Sequence, residues 1–294
     1  MQIMKKMNEL TSFVRTSRPL YWLVHFLFFV FGVVASGNFT TILSLQFIVP
    51  LFIIMIPYSY FVYAVNDYYD DLSDHENKRK GGVFGKVHTQ QERSSLLKNS
   101  FICFALCGFC FSFFGIIPFI VYLVLSADLF WYSAPPIRFK GIPFIDFITG
   151  GSLYGGLMYL LGYVTYRGDI TALLKNIPVN LIFIFVITAW YHLVLATFDM
   201  KADKKQGITT TPAVLGARTT LFICIFFLSG SLVFFYSKPN FFVDIVCRAF
   251  FCVLLFQPKW RENRWMQKII GEYSLYVSFL LTVVVFLINP LSLN

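Results

Sequence analysis

The chain has 294 residues, 57% of them hydrophobic and only 13% charged, where an ordinary soluble domain is about a quarter charged. That excludes a typical soluble fold and points to a polytopic membrane protein. The net charge of +9 is read as basic loops on one membrane face, with no nucleic-acid partner expected.

Residues 1–17 are basic and polar, and the apolar run after them lacks a small-residue cleavage site, so a retained helix is expected rather than a signal peptide. Apolar segments are predicted at Leu20–Ser36, Leu43–Val65, Leu97–Gly115, Ile116–Tyr132, Pro143–Val164, Ile177–Phe198, Ala213–Tyr236, Phe241–Phe256 and Glu272–Asn289. They reach or approach the roughly 20 residues that cross a bilayer. No polar linker divides them. The expectation is an all-α fold, one domain over residues 1–294, with about nine transmembrane helices. If the N-terminus is cytosolic, nearly all Lys and Arg fall inside, and only Arg167, Lys175 and Lys238 fall outside. The positive-inside rule therefore puts the N-terminus and the basic loops in the cytosol, at the cell (inner) membrane if the source is bacterial. The six cysteines lie in apolar runs without metal-ligand spacing and read as small buried hydrophobes.

The second segment runs into Asn66-Asp67-Tyr68-Tyr69-Asp70-Asp71-Leu72-Ser73-Asp74. Carboxylates crowded beside lipid repel one another and are costly to keep ionised. A hard divalent cation with oxygen ligands accounts for them. Asn66, Asp70 and Asp74 are spaced to stack on one helix face. Lys78, Arg79 and Lys80 follow and can hold phosphate oxygens. The sixth segment repeats the plan: Asp199 and Asp203 at i, i+4, then Lys204, Lys205 and Gly207. Two acidic clusters on one face, with Mg²⁺ between them, describe a diphosphate-binding site.

Asn66-Asp67-x-x-Asp70-x-x-x-Asp74 together with Asp199-x-x-x-Asp203 resembles the paired motifs of the UbiA-type membrane prenyltransferases. The resemblance implies nine helices around a central cavity open towards membrane lipids, an isoprenyl diphosphate donor and a lipophilic acceptor. It makes Asn66, Asp67, Asp70, Asp74, Asp199 and Asp203 the metal and diphosphate residues. The family's middle loop carries a tyrosine and a lysine. Here Tyr132-Ser133-Ala134-Pro135-Pro136-Ile137-Arg138-Phe139-Lys140 occupies that place, with a longer tyrosine-to-lysine spacing than the quinone-pathway members. Arg138 and Lys140 are then diphosphate ligands beside Lys78, Lys80 and Lys204, and Tyr132 is a catalytic candidate. Ser17-Arg18-Pro19-Leu20-Tyr21-Trp22, the Ser-x-Pro-Pro-x-Arg-Phe-Lys loop and residues Gly207–Gly216 look like the lycopene elongase branch.

The chemistry needs an allylic cation kept from water and a base for the proton lost after coupling. His192, two turns before Asp199, is the expected base. Asp146 is expected to pair with Arg138 or Lys140, and Asp244 with Arg248; Asp128 finds no role in the sequence. A carboxylated aromatic acceptor wants an inward arginine, and only Arg18 offers itself, so lycopene or a related carotenoid is favoured over hydroxybenzoate or dihydroxynaphthoate. A transporter is the rival from another class, although transporters set their charges near the midplane.

Overall fold

The computed structural model describes residues 2–37, 44–70, 86–167, 170–171, 179–235 and 239–270. Among these the fold is all-helical. The principal helices are α1 (Gln2–Thr16), α2 (Pro19–Ala35), α3 (Leu45–Tyr69), α4 (Gln90–Ser112), α5 (Ile116–Ser133), α6 (Tyr154–Arg167), α7 (Val179–Lys205), α8 (Thr211–Leu215), α9 (Ala217–Phe235) and α10 (Pro239–Leu255). Among the described residues four helices are long and apolar enough to cross a membrane: α3, α4, α5 and residues Leu181–Lys205 of α7. The bent pair Glu9–Thr16 and Pro19–Ala35, with 49° between its arms, passes the same test as one unit. The predicted ninth segment, Glu272–Asn289, lies outside the described residues.

Several boundaries differ from expectation for local reasons. Helix α4 starts at Gln90, well before Leu97, because Thr89 and Glu92 form a reciprocal capping box. Helix α1 was not foreseen; it stops before Pro19, which disfavours helical backbone in the residue preceding it. The Pro143–Val164 segment enters through a π-helical turn at Ile148–Leu153, rich in glycine, before α6 begins.

The chain divides into two compact units, one of Met1–Ile137 with Leu157–Ile170, the other of Arg138–Gly156 with Thr171–Asn294. In the first unit α3 packs on α4 and α5. Two prolines interrupt its backbone ladder, and the unit supplies substitutes. Pro50 cannot donate to the Gln46 carbonyl, which accepts instead from the Tyr166 hydroxyl at 2.9 Å. Pro57 leaves the Ile53 carbonyl, which faces the Cys107 thiol at 3.9 Å, and the helix relaxes into a π turn over Ile54–Tyr58. Helices α2 and α6 cross through glycine: a methyl group on Gly162 would sit 2.0 Å from the Phe29 carbonyl oxygen, and one on Gly32 1.9 Å from that of Tyr159.

In the second unit α7 packs on α9, on α8 and on the π turn, and α9 packs on α10. Trp190 of α7 is buried and donates to Cys252 Sγ at 3.0 Å, with the Arg248 guanidinium 4.6 Å from its ring centroid. Asp244, the partner expected for Arg248, has no described side chain. Cys103, Cys107, Cys224 and Cys252 are buried as expected; Cys247 is exposed.

Candidate functional site: the acidic ends of α3 and α7

Helix α3 carries Asn66 and Asp67 in its last turn and ends on Asp70, whose N–H donates to the Asn66 carbonyl at 2.9 Å. A helix C-terminus is already the negative end of the backbone dipole, so buried carboxylates there call for cations and donors. The first unit provides them. Arg18 donates from Nη2 to Asp67 Oδ1 at 2.6 Å and to Asn66 Oδ1 at 3.3 Å. Its guanidinium lies 4.4 Å from the ring centroid of Tyr63, one turn before Asp67. Arg18 sits in the break between α1 and α2 with left-handed backbone, φ 51°. On the other side His88 Nε2 lies 3.2 Å from Asp67 Oδ2 and 3.5 Å from Thr16 Oγ1. Asn66 Nδ2 donates to Asp70 Oδ2 at 3.0 Å and to Ser133 Oγ at 3.2 Å. Arg93 donates to the Tyr68 carbonyl at 2.8 Å. The end of α3 is thus tied to the α1–α2 break, to the approach to α4 and to the last turn of α5.

Asp67 and Asp70 are both buried. Tyr132, half-buried, lies in that last turn of α5 beside Ser133. Asp74, Lys78 and Lys80, with Asp71 and Arg79, lie outside the described residues.

In the second unit Asp199 and Asp203 are on α7 at i, i+4, as the spacing predicts. Asp203 is buried, 3.7 Å from Lys140 Nζ and 3.4 Å from the Thr210 hydroxyl. Lys140 stands on a 3₁₀ turn, Phe139–Gly141, entered through Arg138 in left-handed conformation, φ 46°. The Thr209 hydroxyl ties that turn down by donating to the Gly141 carbonyl at 2.5 Å. Lys204 is exposed. His192 hydrogen-bonds the backbone of Gly150, within electrostatic reach of Asp146, Lys140 and Asp199. Gly151 makes room for it, since an added methyl group would come 3.1 Å from His192 Cβ.

Asp146 corrects an expectation. It is fully buried and bonds neither Arg138 nor Lys140 in the way foreseen. Its Oδ2 accepts from the Thr211 N–H at 2.7 Å, and its Oδ1 accepts from the Thr211 hydroxyl and from the Phe147 N–H at 3.0 Å. Thr211 in turn accepts from the Phe144 N–H at 2.7 Å. The nearby cation, Lys140, goes to Asp203.

The donors at these two ends suit magnesium. Asn66, Asp67, Asp70, Asp199 and Asp203 offer only hard oxygen ligands, without thiolate or imidazole among them. Among the described residues no group of three or more His, Cys, Asp and Glu forms a complete cage. Magnesium needs none where substrate phosphates and waters fill its octahedron.

Four relevant contacts were not foreseen: Arg18 to Asp67, His88 to Asp67, Ser133 to Asn66 and Thr211 to Asp146. The Thr89-x-x-Glu92 capping signal just after His88 was the available clue that the chain turns back there.

The family model described as "UbiA prenyltransferase family" matches residues 17–268. A lycopene elongase/hydratase of Haloarcula japonica is 29% identical over 229 residues, 75% of this chain and 73% of the relative. A lycopene elongase/hydratase of Corynebacterium glutamicum is 28% identical over 242 residues, 81% of this chain and 82% of the relative. A solved UbiA homolog from Archaeoglobus fulgidus, bound to DMAPP and Mg²⁺, superposes with a TM-score of 0.63 at 18% identity, covering 93% of this chain and 99% of that one.

Proposed function

This chain belongs to the UbiA prenyltransferase family and is an integral membrane prenyltransferase, and from that premise we propose that it transfers an isoprenyl group from its diphosphate to a polyene acceptor of the lycopene type. The observation that carries this reading is the joint presence of Asn66-Asp67-x-x-Asp70-x-x-x-Asp74 and Asp199-x-x-x-Asp203 in one chain, with Asn66, Asp67 and Asp70 at the end of α3 and Asp199 and Asp203 at the end of α7. The lycopene elongase/hydratase relatives support the acceptor class. So does Arg18: the arginine expected to receive an acceptor carboxylate is engaged with Asp67 and Asn66, which disfavours hydroxybenzoate and dihydroxynaphthoate. We also read about nine crossings, with both acidic ends facing the cytosol, from the distribution of Lys and Arg.

Asn66, Asp67, Asp70 and Asp74 in the first unit, with Asp199 and Asp203 in the second, are the proposed metal and diphosphate residues. Bound Mg²⁺ would supply charge neutralisation for the departing pyrophosphate. Lys78, Lys80, Arg138, Lys140 and Lys204 would draw the diphosphate in and hold its oxygens. Lys140 is already held near Asp203, so its ammonium is presented at the acidic end. Tyr132, one residue from the Ser133–Asn66 contact, would bound the reacting carbon. His192, which donates one ring N–H to the Gly150 carbonyl among charged neighbours, would offer its other ring nitrogen as the base for the proton lost after coupling. The apolar helix walls keep water from the allylic cation.

The test is incubation of membranes containing the chain with Mg²⁺ and labelled dimethylallyl, geranyl or longer diphosphates. Lycopene and quinone precursors are offered side by side, and products are read by mass. A prenylated polyene is expected. A prenylated aromatic acid and no polyene product would overturn the acceptor assignment, and the absence of any Mg²⁺-dependent pyrophosphate release would overturn the enzyme reading.

A further inference from the structure

Three threonines in a row, Thr209-Thr210-Thr211, stand at the passage from α7 into α8. Each of their hydroxyls grips a different place in the second unit. The Thr209 hydroxyl donates to the Gly141 carbonyl at 2.5 Å. The Thr210 hydroxyl donates to Asp203 Oδ2 at 3.4 Å. The Thr211 hydroxyl donates to Asp146 Oδ1 and accepts from the Phe144 N–H at 2.7 Å. Asp146 strengthens this last grip by accepting the Thr211 N–H at 2.7 Å. Thr210, Thr211 and Asp146 are all buried. Buried polar groups whose bonds are made hold their neighbours in one arrangement, because breaking any of them leaves a desolvated group without a partner.

The segment they hold would not keep its shape alone. Lys140 stands between Arg138 at φ 46° and Phe144 at φ 69°. Left-handed backbone is unfavourable for any residue with a side chain, and most of all for a bulky one. It persists only where the surroundings over-determine it. The Phe144 side chain is 48% exposed, so its own packing does little to hold that backbone. The hydrogen bonds do it instead: Thr211 takes the Phe144 N–H, and Thr209 takes the carbonyl of Gly141, next to Lys140. The middle threonine meanwhile holds Asp203, which the Lys140 ammonium approaches to 3.7 Å. One short strip of chain thus sets both the root of the lysine and the carboxylate it faces.

We infer that Thr209, Thr210 and Thr211, anchored by Asp146, are positioning residues that set Lys140 against Asp203 for the donor diphosphate; this rests on the function proposed above. None of the four needs to touch the substrate. The lysine stem keeps its own freedom, and the threonines decide where it is rooted. At Thr211 the task calls for a hydroxyl, since one oxygen accepts the Phe144 N–H and donates to the Asp146 carboxylate at once. Serine can do the same. Valine has the shape of threonine and can do neither.

Full-length wild type, Thr211→Val, Thr211→Ser, Thr209→Val and Lys140→Ala are compared in liposomes with Mg²⁺, labelled geranyl diphosphate and lycopene. Each valine variant is also combined with Lys140→Ala. Donor KM, acceptor KM and kcat are read from pyrophosphate release and coupled product. Thr211→Val raises donor KM about fivefold and leaves acceptor KM within about twofold of wild type. Thr211→Ser restores the wild-type donor KM. Added to Lys140→Ala, Thr211→Val raises donor KM no further, because a misplaced lysine and a missing one are the same loss. Threonines that merely hold the fold together would lower the melting temperature without this dependence on Lys140. A folded Thr211→Val chain with the wild-type donor KM, or with the same rise whether or not Lys140 is present, overturns the inference. If Thr211→Val does not fold, the exposed Thr209→Val decides by the same comparison. Coupled product from wild type together with either of those results sinks this inference alone. An unchanged donor KM in Lys140→Ala removes Lys140 from the diphosphate site, and the inference with it. No coupled product from wild type sinks the proposed function and this inference together.

Discussion

At the end of α3, Asp67 gives one carboxylate oxygen to Arg18 and the other to His88. At the end of α7, Asp203 lies 3.7 Å from the Lys140 ammonium and 3.4 Å from the Thr210 hydroxyl. Both sites are buried carboxylates at the negative end of a helix, and they are braced differently. The first is bound on both sides by short contacts from two chain segments, so its geometry is fixed. The second faces a flexible ammonium that can turn to another anion, because lysine is a point charge on a long stem while arginine is a rigid fork. The contrast suggests a rigid support in one unit and an adjustable grip in the other. It is open to direct attack.

The largest effect should come from removing a carboxylate outright. Asp70→Ala and Asp203→Ala are each expected to abolish turnover, a loss of about 10³-fold or more, as when charge stabilisation at a reacting group is deleted. Pyrophosphate release is the assay. A chelator should silence wild type equally, and added Mg²⁺ should restore wild type but neither variant. Full activity in either variant would refute the metal assignment.

Next comes the difference in bracing. Arg18→Ala leaves Asp67, whose side chain is fully buried, beside a helix C-terminus without its main cation. Breaking a buried pair from one side costs about 3–5 kcal/mol. Thermal denaturation in detergent should show it, and Arg18→Ala with Asp67→Asn should recover part of the loss. Lys140→Ala should cost less stability than Arg18→Ala, because its pair is the longer, 3.7 Å against 2.6 Å. It should instead raise the donor KM about tenfold, the loss of one charge-assisted contact. If Lys140→Ala melts as early as Arg18→Ala, the contrast between fixed and adjustable ends fails.

What the sequence made legible follows the range of the signal. Asp199 and Asp203 are four residues apart, and local helix geometry places them. Asn66 and Asp70 follow by the same rule, and their side chains do meet. Arg18 and Asp67 are 49 residues apart, and Asp146 and Thr211 are 65 apart; no local period links such pairs. Charge matching then misled, since Asp146 looked like a partner for a nearby cation and was instead satisfied by N–H and O–H donors. His88 had no apolar periodicity around it to mark it as buried. Helix α1 went unread because its sequence is polar, and its place depends on the Phe13–Tyr60 stack and the Thr16–His88 contact.

The two units also differ at their glycines. At Gly162 an added methyl group would press on the backbone of α2, which cannot move alone, whereas at Gly156 it would press on the Phe185 ring. Gly162→Ala should therefore force α2 and α6 apart and cost about 1–3 kcal/mol. Gly156→Ala should cost less, since a ring end can swing aside. Equal melting shifts would show that both crossings yield alike.

The smallest effect is expected at the solvent-exposed pair of Lys201 and Glu262, although Lys201 stands between Asp199 and Asp203 on α7. Their ion pair is 2.9 Å long but open to solvent on both sides. The Lys201 ammonium holds the Glu262 carboxyl below its ordinary range. A depressed carboxyl contributes its stability above the unfolded value, about 4.3 for glutamate, and loses it as pH falls through the lower folded value. At neutral pH the contribution is therefore fully present, yet an exposed pair is screened by solvent and salt. Lys201→Ala should melt with wild type at pH 7 in physiological salt, and any difference should narrow further on acidification below about pH 4. A clear loss of stability at pH 7 that persists in high salt would mean that this end of α7 is braced as firmly as the end of α3, and the distinction between the two would have to be given up.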